Sequence, residues 1–239
     1  MSKNLKTEVG TYQPLQKILL FSAICVLLFL ACISYSLPNA FLPVFNEHHN
    51  VSTSMTGAAL GAGPFGLIIA SLFAPYLMNR FESRWLLAVG SAGLGAAFMV
   101  YSALDHITAQ RTWYELLSVL GRAIGGTFGG VLEVVCYAAL IAIYPNHVAT
   151  AASIGEATLN GALAFAPFFG SVLYAADGFK TAFIVPGILV ACAIIPAAFS
   201  PQLSCNEKKQ EGEVRSMKVL LDPWLLFPLW HLATAQVSR

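Results

Sequence analysis

Long apolar runs separated by short polar intervals set the architecture of this chain. A hydrocarbon core about 30 Å thick is crossed by roughly 20 apolar residues in helix. Six segments reach that length: Ile18–Leu37, Met55–Met78, Trp85–Leu104, Leu116–Tyr144, Ala149–Ala176 and Ala182–Ser200. They lack the period-two alternation of membrane barrel strands, so each is read as a helix. A seventh run, Trp224–Gln236, is too short to cross. Before it lies PQLSCNEKKQEGEVRSMKVLLD (201–222), which mixes charges of both signs without apolar periodicity and reads as a flexible linker. The expected order is an N-terminal segment 1–17, a six-helix transmembrane bundle 18–200, a linker 201–222 and the truncated start of a seventh helix, 223–239. The fold class is an all-α, multi-pass membrane protein.

Composition agrees with the pattern. The 239 residues are 57% hydrophobic and only 10% charged, against about 25% charged in soluble domains, so little polar surface exists to face water. The first run follows Lys3, Lys6 and Lys17 as a signal peptide would. It is longer than a typical signal core and no A-x-A-like cleavage site follows, so it is expected to remain as the first helix. Loop charges give the orientation. With the N-terminus inside, Lys3, Lys6, Lys17, Arg80, Arg84, Lys208, Lys209, Arg215 and Lys218 are cytoplasmic, and only Arg111 and Lys180 are outside. The N-terminus and the linker are therefore expected in the cytoplasm. Asn50-Val51-Ser52 is a glycosylation sequon and falls in the first loop, on the outer or lumenal side, which makes the chain a candidate glycoprotein.

Several function classes lose support. The net charge of +1 comes with no basic stripe, which argues against nucleic acid. Cys25, Cys32, Cys136, Cys192 and Cys205 have no metal-ligand or disulfide spacing, and four of them lie inside apolar runs as small hydrophobes. His48-His49 reads as a solvated pair. There is no nucleophile–base arrangement and no phosphate-binding glycine loop. No enzyme activity, metal or cofactor is expected.

Small residues and buried charges carry the remaining information. Gly57, Gly61, Gly66, Ala70 and Ala74 in the second helix, and Gly121, Gly125, Gly129 with Gly126 and Gly130 in the fourth, favour close helix packing. Pro64, Pro167, Pro186 and Pro196 read as kinks. Arg122, Glu133 and Glu156 lie inside spans, where a lone charge costs at least ~2.5–3.5 kcal/mol. Arg122 and Glu133 are eleven residues apart, hence on nearly the same helix face and roughly 16 Å apart along it. They line a water-filled cavity or form a buried pair holding helices together. Ser153, Glu156 and Asn160 share a face of the fifth helix. By depth, Arg122 meets Glu156 or Asn160 near mid-membrane.

These passages resemble the major facilitator superfamily. Arg122-x-x-x-Gly126-x-x-x-Gly130 is similar to its membrane-embedded arginine motif. The stretch Gly161-Ala-Leu-Ala-Phe-Ala166-Pro167-Phe-Phe-Gly170-Ser171 looks like its antiporter motif, with Ala and Ser in place of two glycines. Asn79-Arg80-Phe81-Glu82-Ser83-Arg84 is similar to its cytoplasmic gating loop, without that loop's Asp and Gly. Tyr144–Thr150, Glu156 and Leu220–Trp224 look like the vesicular amine and polyamine transporter branch.

The resemblance implies half of a twelve-helix fold. It also implies a proton-coupled antiporter of a small organic cation in a vesicle or plasma membrane. Arg122, Glu133, Glu156 and Asn160 would couple protons, with Glu156 or Glu133 as the carrier. The first helix lacks the acid expected to bind an amine and offers Ser34, Tyr35, Ser36 and Asn39; with Ser153 these are the cavity candidates. The implied partners are a small-molecule substrate, protons, lipid and the C-terminal half. The alternative is a truncated half-transporter, a splice form or incomplete reading frame, with no transport of its own.

Overall fold

The computed structural model describes residues 14–107 and 111–193. The N-terminal residues 1–13, the end of the expected sixth helix (194–200), the linker 201–222 and the segment 223–239 lie outside the described residues. Within them every regular element is helical. They are α1 (Pro14–Ser36), α2 (Pro38–His48), α3 (Thr53–Arg80), α4 (Ser83–Ser102), α5 (Arg111–Ile143) and α6 (Val148–Ala193), with short 3-10 turns at Ala103–Ile107 and Pro145–His147. Five helical stretches of this set are long and apolar enough to cross a membrane, α1 and α2 counting as one.

Two features depart from the simple sequence reading. Helix α2 occupies residues expected to be loop. Pro38 has no N–H to give and suits a first helical position, so the chain restarts as helix after Leu37. Packing holds it there: Phe41, Leu42, Phe45 and Asn46 are buried on one side. At the same end of the bundle, α6 runs for 46 residues but breaks at Asp177 (φ −154°, ψ 22°) and Gly178 (φ 75°, ψ −157°). Gly178 occupies backbone space that only glycine enters without strain. The turn lets Phe179 and Phe183 reach the core. Their rings lie 4.1 Å from Phe45 and 4.5 Å from Tyr101 respectively, centroid to centroid.

Backbone contact between glycines sets the closest pairing, α3 against α5. A Cβ at Gly126 would collide with the Gly63 carbonyl, and one at Gly66 with the Ala123 carbonyl. At Gly130 it would meet the Leu67 carbonyl at 2.8 Å and the Ala70 methyl at 2.9 Å. The α5 glycines thus divide: Gly126 and Gly130 face α3, while Gly125 and Gly129 face Leu94 of α4. Gly57 and Gly61 pack on nothing among the described residues, because the interface runs through Gly63, Gly66 and Ala70 instead. On α6, Ala162, Ala166 and Gly170 are buried every fourth residue. A Cβ at Gly170 would meet the Leu37 side chain at 2.9 Å, so this face seats on the α1–α2 junction.

Candidate intramembrane polar site

Arg122 lies on α5 about 16 Å from Arg111 along the axis and is only 5% exposed. Its partners come from the α1–α2 junction. Nη1 donates to the Tyr35 carbonyl at 3.1 Å and Nη2 to Asn39 Oδ1 at 3.5 Å. The guanidinium carbon sits 5.5 Å from the Tyr35 ring centroid, within cation–π range. The junction explains why a carbonyl is available. Tyr35 lies in the last turn of α1, which ends at Ser36 just before Pro38, and carbonyls in a last turn lack helical partners. The negative end of the α1 dipole also points here, favouring a cation.

The sequence expectation that Arg122 meets Glu156 or Asn160 is not what the geometry gives: among the described residues no carboxylate lies within ion-pair distance of it. Tyr35 and Asn39, named as cavity candidates, are instead its partners. Ser34 is buried and spends its hydroxyl on the Leu30 carbonyl of its own helix, 2.8 Å away. Ser36 is half-buried beside them. A cavity next to Arg122 is walled by Tyr35, Phe98, Tyr101, Gly125 and Phe183 among others. Tyr101 and Ser118 share a hydroxyl–hydroxyl hydrogen bond of 2.5 Å beside it. No signal in the sequence marks Tyr101, since its place depends on how α4 packs against α5.

The acidic residues form a second cluster nearer the Arg80 end. Glu133 of α5 and Glu156 of α6 are electrostatic neighbours, and both act on Cys32 of α1. Tyr137 faces the same pair. It is four residues after Glu133 and so on one helix face with it, a spacing legible in the sequence but missed. Its hydroxyl is buried and faces the Glu156 carboxylate. Ser153, Glu156 and Asn160 are all exposed on the expected common face. Asn160 Nδ2 donates to the Glu156 backbone carbonyl at 2.8 Å, which leaves the Glu156 carboxylate free of that amide.

The remaining sequence candidates sit apart. In the stretch similar to the antiporter motif, Ala166 and Gly170 are buried while Gly161 and Pro167 are exposed. Only Phe81 and Glu82 separate α3 from α4. Arg80 is exposed at the helix end, and Arg84 Nε pairs with Glu82 Oε2 at 2.5 Å. Asn50 is exposed in the turn before α3 at φ 54°, a left-handed conformation that Asn tolerates. Among the described residues no group of three or more His, Cys, Asp or Glu could hold a metal.

No curated protein and no solved structure matches the chain. The family model of the Major Facilitator Superfamily matches residues 24–237, nearly all of its length. This is a family of membrane transporters rather than enzymes, and its model runs through all the helices just described. The chain belongs to the major facilitator superfamily.

Proposed function

We propose that the chain supplies the first six-helix half of a proton-coupled antiporter that exchanges a small organic cation, amine- or polyamine-like, for protons across a vesicle or plasma membrane. The observation that carries this reading is the Glu133–Glu156 pair. Two carboxylates that interact with each other within apolar helices, one on an exposed face with Ser153 and Asn160, offer negative charge to a cation or to protons. A carboxylate that has taken up a proton no longer offers the negative charge that holds a cation, so a bound proton and a bound cation would exclude one another. That exclusion is the minimum requirement for exchange.

Six crossings follow if the break at Asp177–Gly178 is a reversal between the fifth and sixth spans. Residues 148–176 would span about 43 Å as helix, already more than the core needs. The N-terminus would then be cytoplasmic and the Asn50 loop lumenal. A glycosidase-sensitive mobility shift, lost in Asn50→Gln, is the expected result, and protease protection of residues 201–222 on the lumenal side would reverse the orientation.

The function itself is tested by pH-gradient-driven uptake and substrate exchange in the complete two-half transporter. Glu156→Gln should lose accumulation more severely than Glu133→Gln, because Glu156 is on the open face. If Glu156→Gln accumulates an organic cation like the parent protein, with the same pH dependence, the reading fails.

A further inference from the structure

Packing accounts for the ring of Tyr137 but not for its hydroxyl. Gly155 of α6 is buried, and a Cβ there would come within 2.8 Å of Tyr137 Cε1 and 3.4 Å of Leu140 Cδ1. The glycine thus gives the ring its seat, and a phenylalanine would fill that seat as well. The hydroxyl oxygen is shut off from water among apolar helices. A buried polar group is costly unless a protein group meets it, so the oxygen needs a reason of its own.

Three titratable groups face the phenol: Glu156 of α6, Glu133 of α5 and Cys32 of α1. Glu156 follows Gly155 directly, so the residue that seats the ring also brings the carboxylate to the hydroxyl. Asn160 does not compete for that carboxylate, because its amide is spent on the Glu156 backbone carbonyl. Glu133 lies one turn before Tyr137 on the same face of α5. The phenol is therefore placed between two carboxylates, and it is directed at the one on the open face of α6. An ionised carboxylate only accepts hydrogen bonds, and a phenol O–H can give one.

We propose that Tyr137 is a positioning residue for Glu156: its hydroxyl donates to the ionised carboxylate, fixes it at the α5–α6 contact and holds back its uptake of a proton. A hydrogen bond to the charged form of an acid favours that form, whereas a neighbouring like charge disfavours it. Tyr137 and Glu133, one turn apart on α5, thus act on Glu156 in opposite directions. Together they set how readily a proton displaces a cation there. That consequence for exchange rests on the function proposed above; the hydrogen bond itself does not.

The test reads the proton at Glu156 in the purified full chain in detergent. A hydrophobic carbodiimide modifies protonated carboxyl groups in apolar surroundings, and peptide mass spectrometry gives the fraction of Glu156 modified at each pH. Tyr137→Phe keeps the ring on Gly155 and removes the hydroxyl. It should raise the pH of half-maximal modification by about one unit, roughly tenfold in proton affinity, as loss of a charge-assisted hydrogen bond does. The thermal midpoint should change little. Gly155→Ala keeps the hydroxyl but crowds the ring at 2.8 Å, and it should move the modification pH in the same direction. A tyrosine that only packs would leave that pH unchanged in Tyr137→Phe. Such a result overturns the proposal, as does a downward shift; if Tyr137→Phe does not fold, Gly155→Ala decides by the same criterion. Glu133→Gln should lower the modification pH, because it removes a like charge. No shift in Glu133→Gln counts against the carboxylate pair on which the exchange reading stands, while the Tyr137 bond is still judged on its own variants.

Discussion

The two ends of this bundle treat the polar groups of their helices in opposite ways. At the Asn50 end they are consumed by one another. Tyr114 Oη donates to Asn46 Oδ1 at 2.6 Å, Asn46 Nδ2 donates to Thr56 Oγ1 at 2.9 Å, and the Thr56 hydroxyl donates to the Ser52 carbonyl at 3.2 Å. Asn46 and Tyr114 are each 1% exposed, and the rings of Phe41, Phe45, Phe179 and Phe183 pack around the same end. Toward the Arg80 end, Glu133 and Glu156 have each other and a phenol but, among the described residues, no cation. A satisfied network rigidifies what it joins. Two carboxylates facing each other repel, and the half-buried Glu133 bears that repulsion in apolar surroundings. The contrast divides α5 itself: Tyr114 near its start is bound into the Asn46 network, while Glu133 beyond its middle meets another carboxylate.

The division can be broken most severely where α3 and α5 touch. Gly126→Val places methyl groups where the Gly63 carbonyl already lies. Backbone cannot rotate aside as a side chain can, so the cost belongs at or above the upper end of the ~1–3 kcal/mol typical of overpacking. The expected outcome is loss of monodisperse protein on size exclusion. Because the same interface positions Arg122 against Tyr35, a well-folded Gly126→Val protein would mean that the two helices are not in backbone contact.

The Asn50 end offers the next largest effect. Asn46→Ala removes the acceptor of the Tyr114 hydroxyl and the donor to Thr56 in one step. With about 1–3 kcal/mol for a buried polar group that loses its partner, destabilisation of roughly 2–4 kcal/mol is expected. It should appear as a lower thermal midpoint in detergent. A change near zero would show that the network is incidental and would erase the contrast between the two ends.

Much of this bundle is legible from hydrophobic pattern alone, and the exceptions share a cause. Helices α3, α4 and α5 lie within a few residues of the apolar runs that announce them, since crossing a bilayer leaves little choice of length. The end expected at Ala176 falls beside the break at Asp177–Gly178. Helix α2 was not legible: Pro38, Asn39, Pro43 and Asn46 all argue locally for a loop, and burial of Phe41 and Phe45 outweighs them. Arg122 stands out in the sequence as a charge inside a span. Its partners do not, because a free Tyr35 carbonyl exists only once the chain breaks at Leu37 and α1 packs on α5. Glu133 and Glu156 can be named from sequence, but their meeting depends on the packing of different helices.

A smaller effect is expected at the break in α6. Gly178 has φ 75° and ψ −157°, and a Cβ there would meet nothing within 4 Å. Gly178→Ala therefore isolates backbone strain from packing, at about 1–3 kcal/mol for a region that is essentially glycine-only. Heat stability should fall by that amount while the Asn46 network stays intact. No loss would mean that the backbone there adopts a more ordinary conformation.

The smallest expected effect on stability is also the sharpest test of the contrast. Glu156 is exposed on α6, Asn160 spends its amide on the Glu156 backbone carbonyl, and the Glu156 carboxylate faces the Tyr137 phenol. Gln keeps the shape of the side chain and removes its charge. Nothing that the helix packing uses is lost, so Glu156→Gln should lie within about 0.5 kcal/mol of the parent chain, as surface substitutions do. Relief of repulsion from Glu133 can make the change slightly stabilising. In Glu133→Gln the repulsion is relieved in the same way, so the double variant should gain less than the two singles summed, since only one repulsion exists to remove. The measurement is the thermal midpoint of four proteins in one detergent: parent, two singles and the double. Additive gains would mean that the carboxylates do not interact. A large loss in Glu156→Gln would mean that Glu156 is structural, as Asn46 is, and that both ends of the bundle spend their polar groups in the same way.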